Sequence, residues 1–167
     1  AATSWFEGDN YDAAALKRLL AATEKADKAK NKTKAMSKIH KESIKAYQEL
    51  YSRANLSLST ESTVLTTDKR IASYSAGSQD NALVALYYNF GRYLLISSTR
   101  PGSLPPNLQG LWSNSFNTPW NGDYHTNINV QMNHWIAEPG NLSELHEPLI
   151  QLVERLIHSG YKTAKDF

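Results

Sequence analysis

Apolar residues recur at helical spacing in four places along the chain. Leu16, Leu19, Leu20 and Ala26 form a modest stripe in AAALKRLLAATEKADKAK, with Asp12 as a candidate cap and NKTK as the break that ends it. Met36, Ile39, Ile44, Tyr47, Leu50 and Tyr51 predict a second helix over roughly 34–53. A third is predicted near 78–98, SQDNALVALYYNFGRYLLISS; it is apolar almost all round, which predicts deep burial. The last fits 143–160, SELHEPLIQLVERLIHSG, with Ser143 and Glu147 as an imperfect capping signal and Gly160 as its stop. Residues 1–11 read as a tail or linker, and ANLSLSTESTVLTTD reads as irregular. Nothing predicts a β-sheet of any size, so the fold class is mainly α.

The interval between the last two helices breaks the pattern. Residues 99–142 hold five of the six prolines, three of the four tryptophans and a cluster of Asn. A connector this long inside a compact domain tends to carry function. Composition adds exclusions. The chain has 167 residues and no cysteine, so disulfides, thiol chemistry and Cys-type zinc sites are ruled out. No apolar run approaches a membrane span, so no membrane partner is expected. The net charge is +2, with 13 of the 18 basic residues in 1–70. Those lysines sit among Ala on helical faces without interleaved aromatics, the mark of a solvated face and not of a nucleic-acid binder. Sequons at Asn31, Asn55 and Asn141 are about as frequent as chance allows in an Asn- and Ser-rich chain.

Candidate chemistry concentrates in DYHTNINVQMN, residues 123–133. Polar His125, Asn127, Asn129 and Gln131 alternate with Thr126, Ile128, Val130 and Met132. In an extended segment this alternation puts His125, Asn127 and Asn129 on one face and anchors Ile128 and Val130 on the other. In a helix Asn127 and Asn129 would stand about 200° apart. The pattern therefore predicts a short extended stretch that enters a helix near Gln131. Amides and imidazole supply neutral donors and acceptors together, which suits sugar hydroxyls. Trp112 and Trp120 flank the loop and could stack on sugar faces, with Pro105-Pro-Asn-Leu-Gln-Gly-Leu-Trp112 holding them rigid. The competing reading is structural, since Asn caps turns and Trp packs cores. The residues alone leave both open.

Other candidates are weaker. His134 and Glu138 stand four apart, as metal ligands on a helix can, but no further ligand joins them and a structural pair is the better reading. Asp80, Glu144, Glu147 and Glu154 read as surface charges or caps. Arg92 and Arg100, at the buried helix and its exit, read as members of structural ion pairs, with a substrate clamp as the alternative. No nucleophile elbow or phosphate-cradling glycine loop occurs, and no metal or cofactor is expected.

The run SSTRPGSLPPNLQGLWSNSFNTPWNGDYHTNINVQMNHWIAEPGNLSELHEPL resembles glycoside hydrolase family 95, the inverting α-L-fucosidases. It joins RPG, LPxNLQGxW, PW, DYHxNINxQMN and NLxExxEPL in one order. Weaker resemblance extends upstream through TTDKRIASYSAGSQDNALVALYYNFGRYLLIS and KESIKAYQELYSRANLSL. The run departs from the family pattern at His134, where Tyr is common, and at Ile136, where Pro is common.

The resemblance implies a large enzyme with an N-terminal β-sandwich, a helical linker, an (α/α)6 barrel and a C-terminal β domain. On it, residues 1–60 would be linker and linker helices after a missing sandwich, and 61–167 the first part of the barrel. By position, Asn129 matches the amide that orients and activates water, Asn127 its helper, and His125 a contact to the fucose ring. The family's general acid Glu and activating Asp are expected beyond Phe167, which leaves this chain inactive alone and in need of the remainder of the same enzyme. The implied substrate is a glycan with terminal α-L-fucose, α-1,2-linked, and the implied location is secreted or periplasmic. Two alternatives compete: an α-L-galactosidase of the same family, and a non-catalytic helical carbohydrate-binding module, which would have no need of the Asn pair.

Overall fold

A computed structural model describes residues 11–59, 63–115 and 117–166. The tail expected over 1–11 lies outside them except for Tyr11. Among the described residues, six α-helices follow in order: α1 (Tyr11–Asp27), α2 (Lys32–Tyr51), α3 (Thr67–Ser75), α4 (Asn81–Ser98), α5 (Asn129–Met132) and α6 (Glu147–Asp166). Two 3-10 turns, Pro119–Gly122 and Ser143–His146, flank α5. Among the described residues the only bridge of β type joins Asn107 to Gly110. The mainly α class is as read from the sequence. The chain divides into two compact units, Ala1–Glu49 and Leu50–Phe167.

In the first unit, NKTK ends α1 because Asn31 begins α2. The Asn31 side-chain oxygen accepts the Lys34 amide at 2.9 Å, an N-cap that satisfies one orphan donor of the first turn. Asp12, expected as a cap, lies inside α1. The Leu16, Leu19 and Leu20 stripe is exposed.

The second unit is organised by α4. Asp80 caps it, accepting the Leu83 amide at 2.8 Å. The same carboxylate takes a two-pronged bond from Arg70 of α3, Nε to Oδ2 at 2.9 Å and Nη2 to Oδ1 at 2.8 Å. The pattern reading missed α3, which is short and polar. Its end was legible: Gly77 at φ 100° is the left-handed residue of a Schellman stop, with Ser78 N–H on Ser73 O and Gly77 N–H on Tyr74 O.

Arg92 is fully buried and, among the described residues, forms no ion pair, contrary to the sequence reading. Its guanidinium donates to four backbone carbonyls: Gly140 at 3.0 Å, Tyr51 at 2.7 Å, Ala54 at 2.6 Å and Leu50 at 3.1 Å. Leu50 and Tyr51 end α2, where carbonyls have no intrahelical partner and the helix dipole is negative. The Tyr51 ring lies 5.2 Å from the guanidinium carbon. Neighbours on the same face repeat the theme: Tyr88 donates to Pro139 O at 2.9 Å and Asn89 to Leu56 O at 3.2 Å. Arg53 closes the arrangement with an ion pair to Glu144. Arg100 donates to the Ile96 and Thr99 carbonyls at the end of α4, and its charge also acts on Glu144.

The carbonyl of Gly140 is within reach because the residue has no side chain. A Cβ there would fall 2.5 Å from the Ile136 carbonyl oxygen and 3.4 Å from Arg92 Nε. Asn141 follows at φ 55°, the left-handed residue of a second Schellman stop, with Leu142 N–H on Ala137 O and Asn141 N–H on Glu138 O. Leu142 and Ala137, the apolar pair of that motif, are fully buried, with Ile96, Leu145 and Leu152 also in the core.

Three further expectations are corrected. First, α4 is buried on one face only: Leu83, Arg92, Leu95 and Ile96 are inside, whereas Tyr87 is 78% and Phe90 50% exposed. The described segments at 50–56 and 139–145 cover one side of the helix, and all-round burial needs cover on both. Second, α6 begins at Glu147 and not at Ser143, whose hydroxyl donates to Glu138 Oε2 at 2.6 Å instead of capping. Third, α6 runs through Gly160 to Asp166, because nothing at that position requires the left-handed turn that stops a helix. Its Ile150, Val153, Ile157 and Tyr161 form an exposed apolar stripe. No described helix is long and apolar enough to cross a membrane.

Replacing Arg92 by Leu should strand several buried carbonyls and destabilise the fold by about 3 kcal/mol or more. Urea denaturation checks this; equal midpoints for the two proteins would show that the carbonyls are satisfied without the guanidinium.

A second expectation concerns acid. The hydrogen bonds from Arg70 and from the Leu83 amide hold the Asp80 carboxyl at about 2, below its ordinary 3.8. The group's contribution is complete above 3.8 and is lost as pH falls through about 2. Asp80→Asn keeps a cap acceptor and loses the ion pair. The gap in thermal midpoint between wild type and Asp80→Asn should therefore be widest above about pH 4 and narrow towards pH 2. A gap constant with pH would disprove the linkage.

Candidate functional site

The proline-rich interval is ordered by successive turns, each built from the residue its geometry demands. Arg100-Pro-Gly-Ser103 turns with Ser103 N–H on Arg100 O at 2.9 Å, Pro in the second place and Gly102 at φ 81° in the third. Asn107 to Gly110 forms the next: the Gly110 amide bonds Asn107 O at 2.9 Å, and the Asn107 side chain accepts the Gln109 amide at 2.7 Å. Gly110 sits at φ 67° under the Trp112 indole; a Cβ would fall 2.5 Å from Cζ3 and 2.6 Å from Cε3. The third turn, Trp120 to Asp123, places Asn121 at φ 55° and Gly122 at φ 62°, the Asn-Gly pair of a type I′ turn. Trp120 itself is left-handed at φ 48°, uncommon for a bulky residue and a form of strain that concentrates at functional positions.

These turns are cross-linked. The Leu108 amide donates to Asp123 O at 3.2 Å, and the Tyr124 hydroxyl to Pro105 O at 2.9 Å. Burial pushes the Tyr124 phenol up. Asn133 of the α5 exit donates its amide to Asn107 O at 3.1 Å and to Pro106 O at 3.4 Å. The loop bearing Trp112, the turn bearing Trp120 and the segment bearing His125, Asn127 and Asn129 thus belong to one cluster. Trp112 is 45% and Trp120 71% exposed, so neither is a core residue. His125 and Asn129 are half-buried, and Asn127 is exposed.

The backbone between His125 and Gln131 is not the extended stretch that alternation predicts. A turn spans Thr126–Ile128, and α5 already begins at Asn129. The Val130 amide closes back on His125 O at 3.1 Å and the Gln131 side chain on Thr126 O at 2.7 Å. With no neighbouring strand to accept ladder bonds, the backbone groups are satisfied locally. Of the two expected anchors, Val130 is buried and Ile128 is 44% exposed.

The Asn cluster separates into two groups. Asn107 makes a side-chain turn, Asn121 and Asn141 supply left-handed residues, and Asn133 bonds two carbonyls. The side chains of Asn127 and Asn129, like those of Asn114, Asn117, Asn121 and Asn141, make no hydrogen bond to any described residue. Sequence reasoning passed over Tyr124, Asn133 and Gln131 as supports. For Tyr124 and Asn133 the alternation carried no signal, because their partners are distant carbonyls.

His134 and Glu138 do not pair with each other. His134 is buried, with Nδ1 on Val130 O at 2.8 Å, and burial pushes its imidazole below the ordinary range. Glu138 instead takes the Ser143 hydroxyl and His146 Nδ1, at 2.6 and 2.8 Å, and these bonds hold its carboxyl low. The two imidazoles stack at 5.8 Å. Among the described residues no group of three or more His, Cys, Asp or Glu could hold a metal ion.

Residues 35–167 match the glycosyl hydrolase family 95 catalytic domain. The chain is similar to alpha-L-fucosidase 2 of Arabidopsis thaliana, 45% identical over 125 residues, covering 71% of this chain and 15% of that protein. It is similar also to the probable alpha-fucosidase A of Aspergillus niger, 43% identical over 135 residues, covering 79% of this chain and 17% of the relative. The corresponding protein of Aspergillus oryzae is 43% identical over 123 residues, covering 71% and 17%. The chain thus spans about one sixth of the length of these relatives. With a match over most of its length, and with the loop cluster built from the motifs that carry it, the chain belongs to glycoside hydrolase family 95.

Proposed function

We propose that the protein carrying this segment is an inverting α-L-fucosidase that removes terminal fucose, α-1,2-linked, from extracellular glycans, in the periplasm or outside the cell. The segment supplies one wall of the active site. One observation carries the reading: the Asn127 and Asn129 amides of the DYHTNINVQMN motif bond no described residue and belong to the same loop cluster as two exposed indoles. The names of the relatives, all α-fucosidases, support the sugar.

The chemistry divides as follows. Inversion needs an acid on the leaving oxygen and a base for water on the opposite face of the ring, with room for that water between them. A neutral amide is a poor base. It can position water through its oxygen, and a carboxylate on its NH2 makes that oxygen a better acceptor. Asn129 takes this role, Asn127 assists it, His125 contacts the fucose ring, and Trp112 and Trp120 offer faces for stacking. The reading places the acid and the polarising carboxylate outside residues 1–167, so this segment alone should not turn over substrate. It also assigns residues 1–60 to a linker and 61–167 to the early helices of an (α/α)6 barrel. The exposed apolar stripes of α4 and α6 are the faces such a barrel would bury.

In the full-length protein, Asn129→Ala should lower kcat on 2′-fucosyllactose by on the order of 100-fold, with little change in KM. Proton NMR during the first turnovers should show β-L-fucose. Early α-L-fucose would exclude inversion, and a change in affinity without loss of turnover would favour a binding module.

A further inference from the structure

We infer that Asn133 is a positioning residue for the Asn127–Asn129 wall, an inference that rests on the function proposed above. Helix α5 spans only Asn129–Met132, and its N-cap Ile128 offers no side-chain bond. One helical turn is not self-supporting. The bonds within the segment, Val130 N–H to His125 O and Gln131 Nε2 to Thr126 O, shape the turn but do not locate it against anything else. Burial of Val130 and His134 seats the turn in the core, and its register against the proline-rich loop comes from the Leu108–Asp123 backbone bond and from two side chains. Before the Asn pair, Tyr124 holds Pro105 O; after it, Asn133 holds Asn107 O, with Pro106 O as a longer second contact. The pair is therefore suspended between two anchors on the loop that leads to Trp112.

The chemistry of Asn133 suits this task. Its NH2 carries two donors, and the two carbonyls belong to adjacent residues. Burial of Val130 and His134 holds the turn in the core independently of Asn133. Loss of the amide should therefore leave α5 in place and relax its register against the loop. A positioning group of this kind acts on turnover more than on binding, because small misplacement of a catalytic group is costly.

The test uses the full-length protein with 2′-fucosyllactose and the variants Asn133→Asp, Asn133→Ala, Asn129→Ala and the double variant Asn129→Ala/Asn133→Asp. Asn133→Asp keeps the shape and removes both donors. Either Asn133 variant that folds should lose roughly 10- to 100-fold in kcat, with KM within about threefold. The double variant should be no slower than Asn129→Ala alone, because the clamp acts through that residue. Wild-type kcat in a folded Asn133 variant, or multiplied losses in the double variant, would overturn the inference. So would failure of both Asn133 variants to fold, since the contact would then serve folding and not position. If Asn129→Ala keeps full activity, the proposed function of the Asn pair fails and the clamp's role falls with it. If Asn129→Ala is inactive while Asn133→Asp is not, the clamp alone is wrong.

Discussion

A single buried guanidinium holds the second unit together. Arg92 lies in the middle of α4 and meets no carboxylate among the described residues; it collects carbonyls from Leu50, Tyr51, Ala54 and Gly140. They lie at the end of a helix and in the turns beyond it, where carbonyls lack intrahelical partners, and Leu50 O takes the Arg53 amide as well. A buried charge is tolerated only when its donors are met, and Arg has five donors in a planar fork that can reach several carbonyls at once. Lys could not replace it, having one ammonium and no fork. The geometry also explains the Gly140-Asn141 pair: Gly140 lets its carbonyl approach Arg92, and Asn141 adopts the left-handed backbone that turns the chain into the Ser143–His146 turn.

The same economy of carbonyls orders the proline-rich interval. Residues 99–142 contain little helix and no sheet among those described, so their backbone groups cannot be satisfied by regular ladders. Turns satisfy some of them. Side chains of Tyr124, Gln131 and Asn133 satisfy others. The outcome is a loop cluster whose shape is set by distant contacts. Such a scaffold can hold two amides and two indoles at the surface without burying them.

This arrangement also separates the structural and functional readings of an Asn-rich loop. A cluster of Asn does not by itself indicate a site, because turns recruit Asn for its short polar side chain and its tolerance of left-handed backbone. Four Asn residues here are used in that way or as a clamp. Asn114, Asn117, Asn127 and Asn129 are not, and of these the family resemblance singles out Asn127 and Asn129.

The helical class, the positions of α2 and α4, and the proline-rich interval as an unusual region are legible in the sequence. Those features rest on local rules: helical period, Pro and Gly in turns, and residue chemistry. Only the tertiary structure decided the rest. Alternation predicted an extended wall, but alternation describes a strand only where a neighbouring strand takes its hydrogen bonds, and the described residues supply none. Gly160 predicted a helix stop, but a glycine ends a helix only where the chain must turn. Arg92 predicted an ion pair because charge suggests opposite charge, whereas its partners are backbone carbonyls, which every residue carries and no pattern reveals. His134 and Glu138 stand four apart, yet each takes its partner elsewhere. In each case the deciding contact lies between groups whose proximity is set by packing, and spacing along the chain cannot encode it.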